Sequence, residues 1–196
     1  MMTGEEVSAL LARASAGEQE AWDALVDGFA NLLWAVARAH RLDDADCADA
    51  VQTAWLRLLE NVDRITDPER LGAWLSTTVR RECLRLIRRS GREYVSDAEA
   101  FADIPEPRTP EMDAGLLRNE RDAELWSVFE RIPDRCRRLL RVLMADPAPS
   151  YQDVSAALDM PIGSIGPTRQ RCLERLRRYA EANDLLSMDT MGGATS

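Results

Sequence analysis

The chain has 196 residues, room for one or two domains that each bury a core. Hydrophobic residues make up 45% and charged residues 30%, which are globular values, and no apolar run approaches a membrane span, Leu32 to Ala37 being among the longest. The formal net charge is -9, which would repel nucleic acid unless positive charge is gathered locally.

It is gathered locally. Met1 to Glu69 carries 14 acids against five arginines, whereas Arg70 to Arg92 carries seven arginines against one acid. Glu93 to Leu125 is acidic again, and Arg131 to Arg178 has ten arginines against five acids. Two basic blocks on an otherwise acidic chain suggest two nucleic-acid contacts.

Turn signals are clustered and the stretches between them have helical period, so the expected fold class is all-α. A first helix runs from about Val7 to Ser15 and stops near Gly17. A second spans Glu18 to about His40, with Trp22, Leu25, Val26, Phe29, Leu32, Leu33 and Val36 on one face. Asp43 and Asp44 open a third, with Cys47, Val51, Trp55, Leu58, Leu59 and Val62 toward the core. Its other face shows Asp46, Asp49, Gln52, Thr53 and Arg57, which plain solvation would also explain. Asp67-Pro68 reads as a cap followed by a first-turn proline, starting a helix that runs to about Arg89. Leu71, Trp74, Leu75, Val79, Leu86 and Ile87 form its apolar stripe, while Arg80, Arg81, Arg85, Arg88 and Arg89 crowd its second half. Basic groups there also complement the helix dipole.

From Gly91 to about Glu120 periodicity fades, and Pro105, Pro107, Pro110 and many acids mark a linker. Helices follow over about Arg121 to Arg131 and Arg135 to Ala145, the second burying Leu139, Leu140, Leu143 and Met144. The next stretch, SYQDVSAALDMPIGSIGPTRQRCLERLRRY, reads as two helices joined by a tight turn. Ser150 caps the first, with Asp153 completing a capping-box-like pair. Pro161 and Gly163 are expected to break the chain, Ser164 to cap the second helix, and Pro167 to sit in its first turn. This is the helix-turn-helix plan. Ile165, Cys172, Leu173 and Leu176 would face the core. Thr168, Arg169, Gln170, Arg171 and Arg175 project elsewhere, and Arg and Gln are the side chains that read guanine and adenine edges. An ordinary solvated basic face is the competing reading. Thr168, Arg171 and Arg175 share a line along the helix and are expected to meet DNA. The tail after Ala180 is expected to be disordered.

Cys47, Cys83, Cys136 and Cys172 form no CxxC pair and all lie on helical stretches, so buried free thiols are expected, with neither a zinc site nor a disulfide framework. His40 is the single histidine. No nucleophile–base or metal constellation is present, so neither an enzyme nor a bound cofactor is expected. Glu5 and Glu6 stand where a signal peptide needs positive charge, which points to the cytoplasm.

Three segments carry a resemblance: DADCADAVQTAWLRLLENV, DPERLGAWLSTTVRRECLRLIRR and YQDVSAALDMPIGSIGPTRQRCLERLRR. Their order and spacing resemble RNA polymerase sigma factors of the sigma-70 family, extracytoplasmic-function subfamily. The resemblance implies a sigma region 2-like domain over 1–92, a linker over 93–120, a sigma region 4-like helix-turn-helix domain over 121–180 and a tail over 181–196. It implies a promoter-specificity subunit whose partners are RNA polymerase core and promoter DNA, with an anti-sigma factor as a further partner. Region 2 would dock on the clamp helices of the largest polymerase subunit through Asp49, Gln52 and Thr53. It would capture minus-10 bases through the Val62 to Glu69 loop, Trp74, Arg80, Arg81, Arg85 and Arg88, although the spacing of Trp74 also fits burial. Ser164, Thr168, Arg169, Gln170, Arg171 and Arg175 would serve the minus-35 element. The family commonly carries a GTVxSR-like pattern where this chain has Gly163-Ser164-Ile165-Gly166-Pro167-Thr168-Arg169. A free-standing helix-turn-helix regulator and a helical adaptor are the alternatives. Neither explains two basic blocks together with 92 residues that lack strands, glycine-rich loops and ligand motifs.

Overall fold

The computed structural model describes residues 2–90 and 120–182, without the side chains of 120–124. Among the described residues there are eight α-helices and no strand, in agreement with the all-α expectation. They are α1 (Gly4–Ser15), α2 (Gln19–Arg38), α3 (Asp44–Asn61), α4 (Leu71–Arg89), α5 (Glu120–Arg131), α6 (Asp134–Leu143), α7 (Tyr151–Leu158) and α8 (Ile162–Ala182). The stretch 93–119 of the expected linker lies outside the described residues, and so does the expected disordered tail beyond Ala182.

Local chemistry sets most boundaries. Thr3 and Glu6 form a reciprocal capping box, so α1 begins three residues before its apolar pattern does. Gly17, at φ +87, turns the chain where only glycine is unstrained. The Asp43 carboxylate accepts from the Asp46 N–H and caps α3. Asp67 differs from expectation. Its carboxylate is taken by Arg70 at 3.2 Å, it makes no cap bond, and Pro68–Arg70 is a 3-10 turn that precedes α4.

The first four helices share a core. Leu25, Leu33, Val36, Leu58, Leu71, Leu75 and Val79 are its largest fully buried side chains. Leu59 was expected among them but is 57% exposed, and its neighbour in space along the helix, Leu56, is 52% exposed. Residues 52, 56 and 59 follow one line, and nothing covers that line among the described residues. Met144, also expected inside, is 69% exposed because α6 ends at Leu143 and the next residue turns outward.

The helices after the linker pack as a second unit. Cys136 on α6 and Cys172 on α8 form a disulfide with Cα atoms 5.2 Å apart, which corrects the expectation of four free thiols. Both residues face inward from different helices, an adjacency that a separation of 36 residues does not advertise. Cys47 and Cys83 are the buried free thiols that were expected, and burial pushes them up to about 11 and about 12.

The two units lie against each other. Buried residues of both belong to one continuous apolar cluster, and the main partner of α7 is α4. Asn31 donates to the Asp146 carbonyl at 2.7 Å, Arg141 to the Arg38 carbonyl at 3.0 Å, and Arg41 pairs with Asp134 at 3.1 Å.

Candidate nucleic-acid and polymerase interfaces

The helix-turn-helix is built from α7, the turn 159–161 and α8. At its start Ser150 and Asp153 form the expected capping box, the Ser150 hydroxyl accepting from the Asp153 N–H. Asp159, at φ 56 and ψ 44, closes α7 in the left-handed conformation that Asp tolerates better than most residues. Glycine is therefore not the residue that breaks this helix; Gly163 lies inside α8. Ser164 does not cap α8 either. The helix starts two residues earlier, and the Ser164 hydroxyl donates back to the Pro161 carbonyl at 2.7 Å. Pro167 accordingly falls within the helix rather than in its first turn. A Cβ added at Gly163 or Gly166 would meet nothing within 4 Å, so close packing is not what requires glycine there.

On α8, Arg169, Gln170, Arg171 and Arg175 are exposed as expected. Thr168 is not: it is 6% exposed, three residues after fully buried Ile165 and four before Cys172. It therefore belongs to the inward stripe, which excludes it from the outer face. Its hydroxyl accepts from Arg171 at 3.2 Å, which ties the two side chains together. Leu173, expected inside, is 43% exposed. The disulfide ties the back of α8 to α6, one residue from Arg171.

On α4, Arg81, Arg85, Arg88 and Arg89 are exposed, and Trp74 is half-buried with part of its ring against the core. Glu82 is a partner that sequence reasoning missed. It is 3% exposed and pairs with both Arg85 and Arg57, so it anchors one arginine of the basic face to α3. Arg80 is unlike the others. Its guanidinium pairs with Asp159 of the helix-turn-helix turn at 3.0 Å, and only 19% of its side chain is exposed.

On α3, Asp49 and Gln52 are exposed and Thr53 is half-buried. Leu56 and Leu59 extend their face with apolar surface. Exposed leucines beside polar groups are a stronger docking signal than solvated polar groups alone.

A family model described as Sigma-70 region 2 matches residues 25–93, from the first turns of α2 past the end of α4. The RNA polymerase sigma-H factor of Bacillus subtilis (strain 168) is 24% identical over 199 residues, covering 90% of this chain and 89% of that protein. The first helical unit of this chain is thus similar to region 2 of the sigma-70 family. The chain's fold is also that of a solved structure, CnrH in complex with the cytosolic domain of CnrY, with a TM-score of 0.56 and 21% identity over 90% of this chain and 98% of that one. No described helix is long and apolar enough to cross a membrane.

Proposed function

We propose that this protein is an RNA polymerase sigma factor of the sigma-70 family, extracytoplasmic-function subfamily, which works in the cytoplasm and divides promoter recognition between its two helical units. The observation that carries the reading is an arginine-bearing recognition helix on the same chain as a matched region 2. Residues 90–119 alone separate α4 from α5, which is too few for a further domain of ordinary size. The unit over 1–92 docks on the clamp helices of the largest polymerase subunit through Asp49, Gln52 and Thr53, with Leu56 and Leu59 adding apolar contact. The Val62 to Glu69 loop, Trp74 and the arginines of α4 capture unstacked minus-10 bases, since single-strand binding wants basic grooves beside stacking surfaces. The unit over 121–180 sets α8 in the minus-35 major groove. CnrH is held by the cytosolic domain of CnrY, and an anti-sigma factor is the corresponding proposed partner here.

The deciding experiment is co-elution with core polymerase followed by transcription from a template carrying both elements. Promoter-dependent transcripts are expected. Tight duplex binding without polymerase, and no transcription with it, would identify a free-standing regulator instead.

Two substitutions refine the assignment. Asp49→Ala with Gln52→Ala should weaken the polymerase pull-down while leaving thermal unfolding unchanged, because both side chains are exposed. An unchanged pull-down would move the dock elsewhere. Arg171→Ala should cost about 1–3 kcal/mol and relax preference at one base pair if the guanidinium reads a guanine. A uniform loss with a shallower salt dependence would make it a phosphate contact. Measuring the mutant on a panel of minus-35 variants at two salt concentrations separates these outcomes.

A further inference from the structure

The loop from Val62 to Arg70, between α3 and α4, is tied mainly by bonds within itself. Its two 3-10 turns, Val62–Arg64 and Pro68–Arg70, have no side-chain cap. Backbone bonds close them locally, from the Ile65 N–H to the Val62 carbonyl at 3.3 Å and from the Arg70 N–H to the Asp67 carbonyl at 3.1 Å. The Asp67–Arg70 ion pair stands in solvent, where such pairs contribute little. Val62, Ile65 and Pro68 recur every three residues and are half-buried, whereas Asp63, Arg64, Thr66 and Asp67 are exposed. A segment bonded in this way opens easily unless buried contacts hold it. Both of its turns pack on α1.

Helix α1 is in turn fixed to α2 at both ends. At its C-terminal end the Trp22 indole donates to the Ala14 carbonyl at 3.0 Å. At its N-terminal end Met2 lies on α2 where Gly28 leaves room: a Cβ added at Gly28 would collide with the terminal methyl of Met2 and stand 3.2 Å from its sulfur. Val7, Leu11 and Ala14 bury the face between these ends. Gly4 opens the same kind of seat toward the loop. A Cβ added at Gly4 would collide with Cγ of Glu69 and stand 2.9 Å from its Oε1. Gly28 of α2 thus receives the side chain of Met2, and Gly4 of α1 receives that of Glu69. Close contacts run without a break from α2 through α1 to the loop.

Given the proposed capture of minus-10 bases by this loop, on which this reading rests, we propose that α1 is the element that positions it, with Gly4 and Glu69 as the positioning residues. Glu69 lies flat against the bare first turn of α1. That draws Pro68–Arg70 down onto the helix and holds Asp63, Arg64, Thr66 and Asp67 outward, where bases of a single strand can reach them. Glu5 and Glu6 in the same turn of α1 repel phosphate, so α1 acts through the loop and not by touching DNA itself.

Gly4→Leu is the direct test, because it puts a side chain between α1 and Glu69, keeps a good helix former and changes no charge. In the full-length chain, hydrogen exchange at the amides of 62–70 should quicken severalfold, with exchange in α4 unchanged. With core polymerase, discrimination among minus-10 variants should fall by roughly tenfold, within the range of one lost base contact. Polymerase pull-down and melting temperature should stay at wild-type values, a split that general loss of structure would not give. Gly4→Ala should act in the same direction more weakly, and should have no effect in a Glu69→Ala background, where the colliding atoms are gone. If Gly4→Leu loses helical circular dichroism, the Gly4→Ala pair decides. An equal effect of Gly4→Ala in both backgrounds would assign it to helix propensity and overturn the positioning role. Wild-type exchange in the loop of folded Gly4→Leu, or faster exchange with undiminished discrimination, would overturn it too. A wild-type chain that fails to transcribe with polymerase would overturn the promoter reading, and the exchange result would then decide by itself whether α1 sets the loop.

Discussion

Reducing the Cys136–Cys172 bridge should lower stability by about 4 kcal/mol, the loop-closure value for the 36 residues it spans. In a chain of this size that corresponds to a fall of ~10 °C in melting temperature. The loss should fall on the helix-turn-helix unit, where the bridge joins α6 to α8. Melting the protein with and without dithiothreitol reads the effect without any mutation. The comparison is clean because Cys47 and Cys83 are buried with their thiols pushed up to about 11 and about 12. They stay protonated near neutral pH and do not exchange with the bridge. The double variant Cys136→Ala, Cys172→Ala should melt at one temperature in both conditions. Equal melting of wild type in both conditions would mean that the bridge does not form in solution.

The second large effect separates two adjacent leucines. Leu58→Ala on α3 should cost about 2–5 kcal/mol, since the side chain is fully buried between packed helices and its removal leaves a cavity. Leu59→Ala should change stability by less than about 0.5 kcal/mol, since 57% of that residue already faces water. Urea unfolding measures both. If Leu59 belongs to the polymerase dock, its replacement should instead weaken the pull-down, alongside Asp49 and Gln52. Equal losses of stability in the two variants would place Leu59 in the core after all.

That pair also marks a boundary in what periodicity can tell. Both leucines satisfy a helical apolar pattern, and the pattern is wide enough to include either edge. Which edge is covered depends on where the neighbouring helices lie. Thr168 is the converse case. A polar residue on a basic helix reads as outward, yet here it fills the stripe between Ile165 and Cys172 and turns its hydroxyl to Arg171. The arginines around it were legible because their exposure follows from charge, which is costly to bury whatever the neighbours do.

By itself the sequence determined the features that depend on a few neighbouring residues. The Ser150–Asp153 capping box, the Asp43 cap, the turn at Gly17 and the end of α4 at Arg89 all follow from local hydrogen bonding and backbone preference. Three ordered motifs were enough to point to a resemblance to the sigma-70 family, whose region 2 the residues 25–93 match, because motif order survives where pairwise identity falls to 24%. The tertiary structure alone decided what depends on residues far apart in the chain. It paired Cys136 with Cys172, turned Leu59 outward and Thr168 inward, enlisted Glu82 to hold Arg85 and Arg57, and set Asp153 over Gly72. Each of these follows from which helix faces meet, and that is a global balance of burial to which no short stretch of sequence has access.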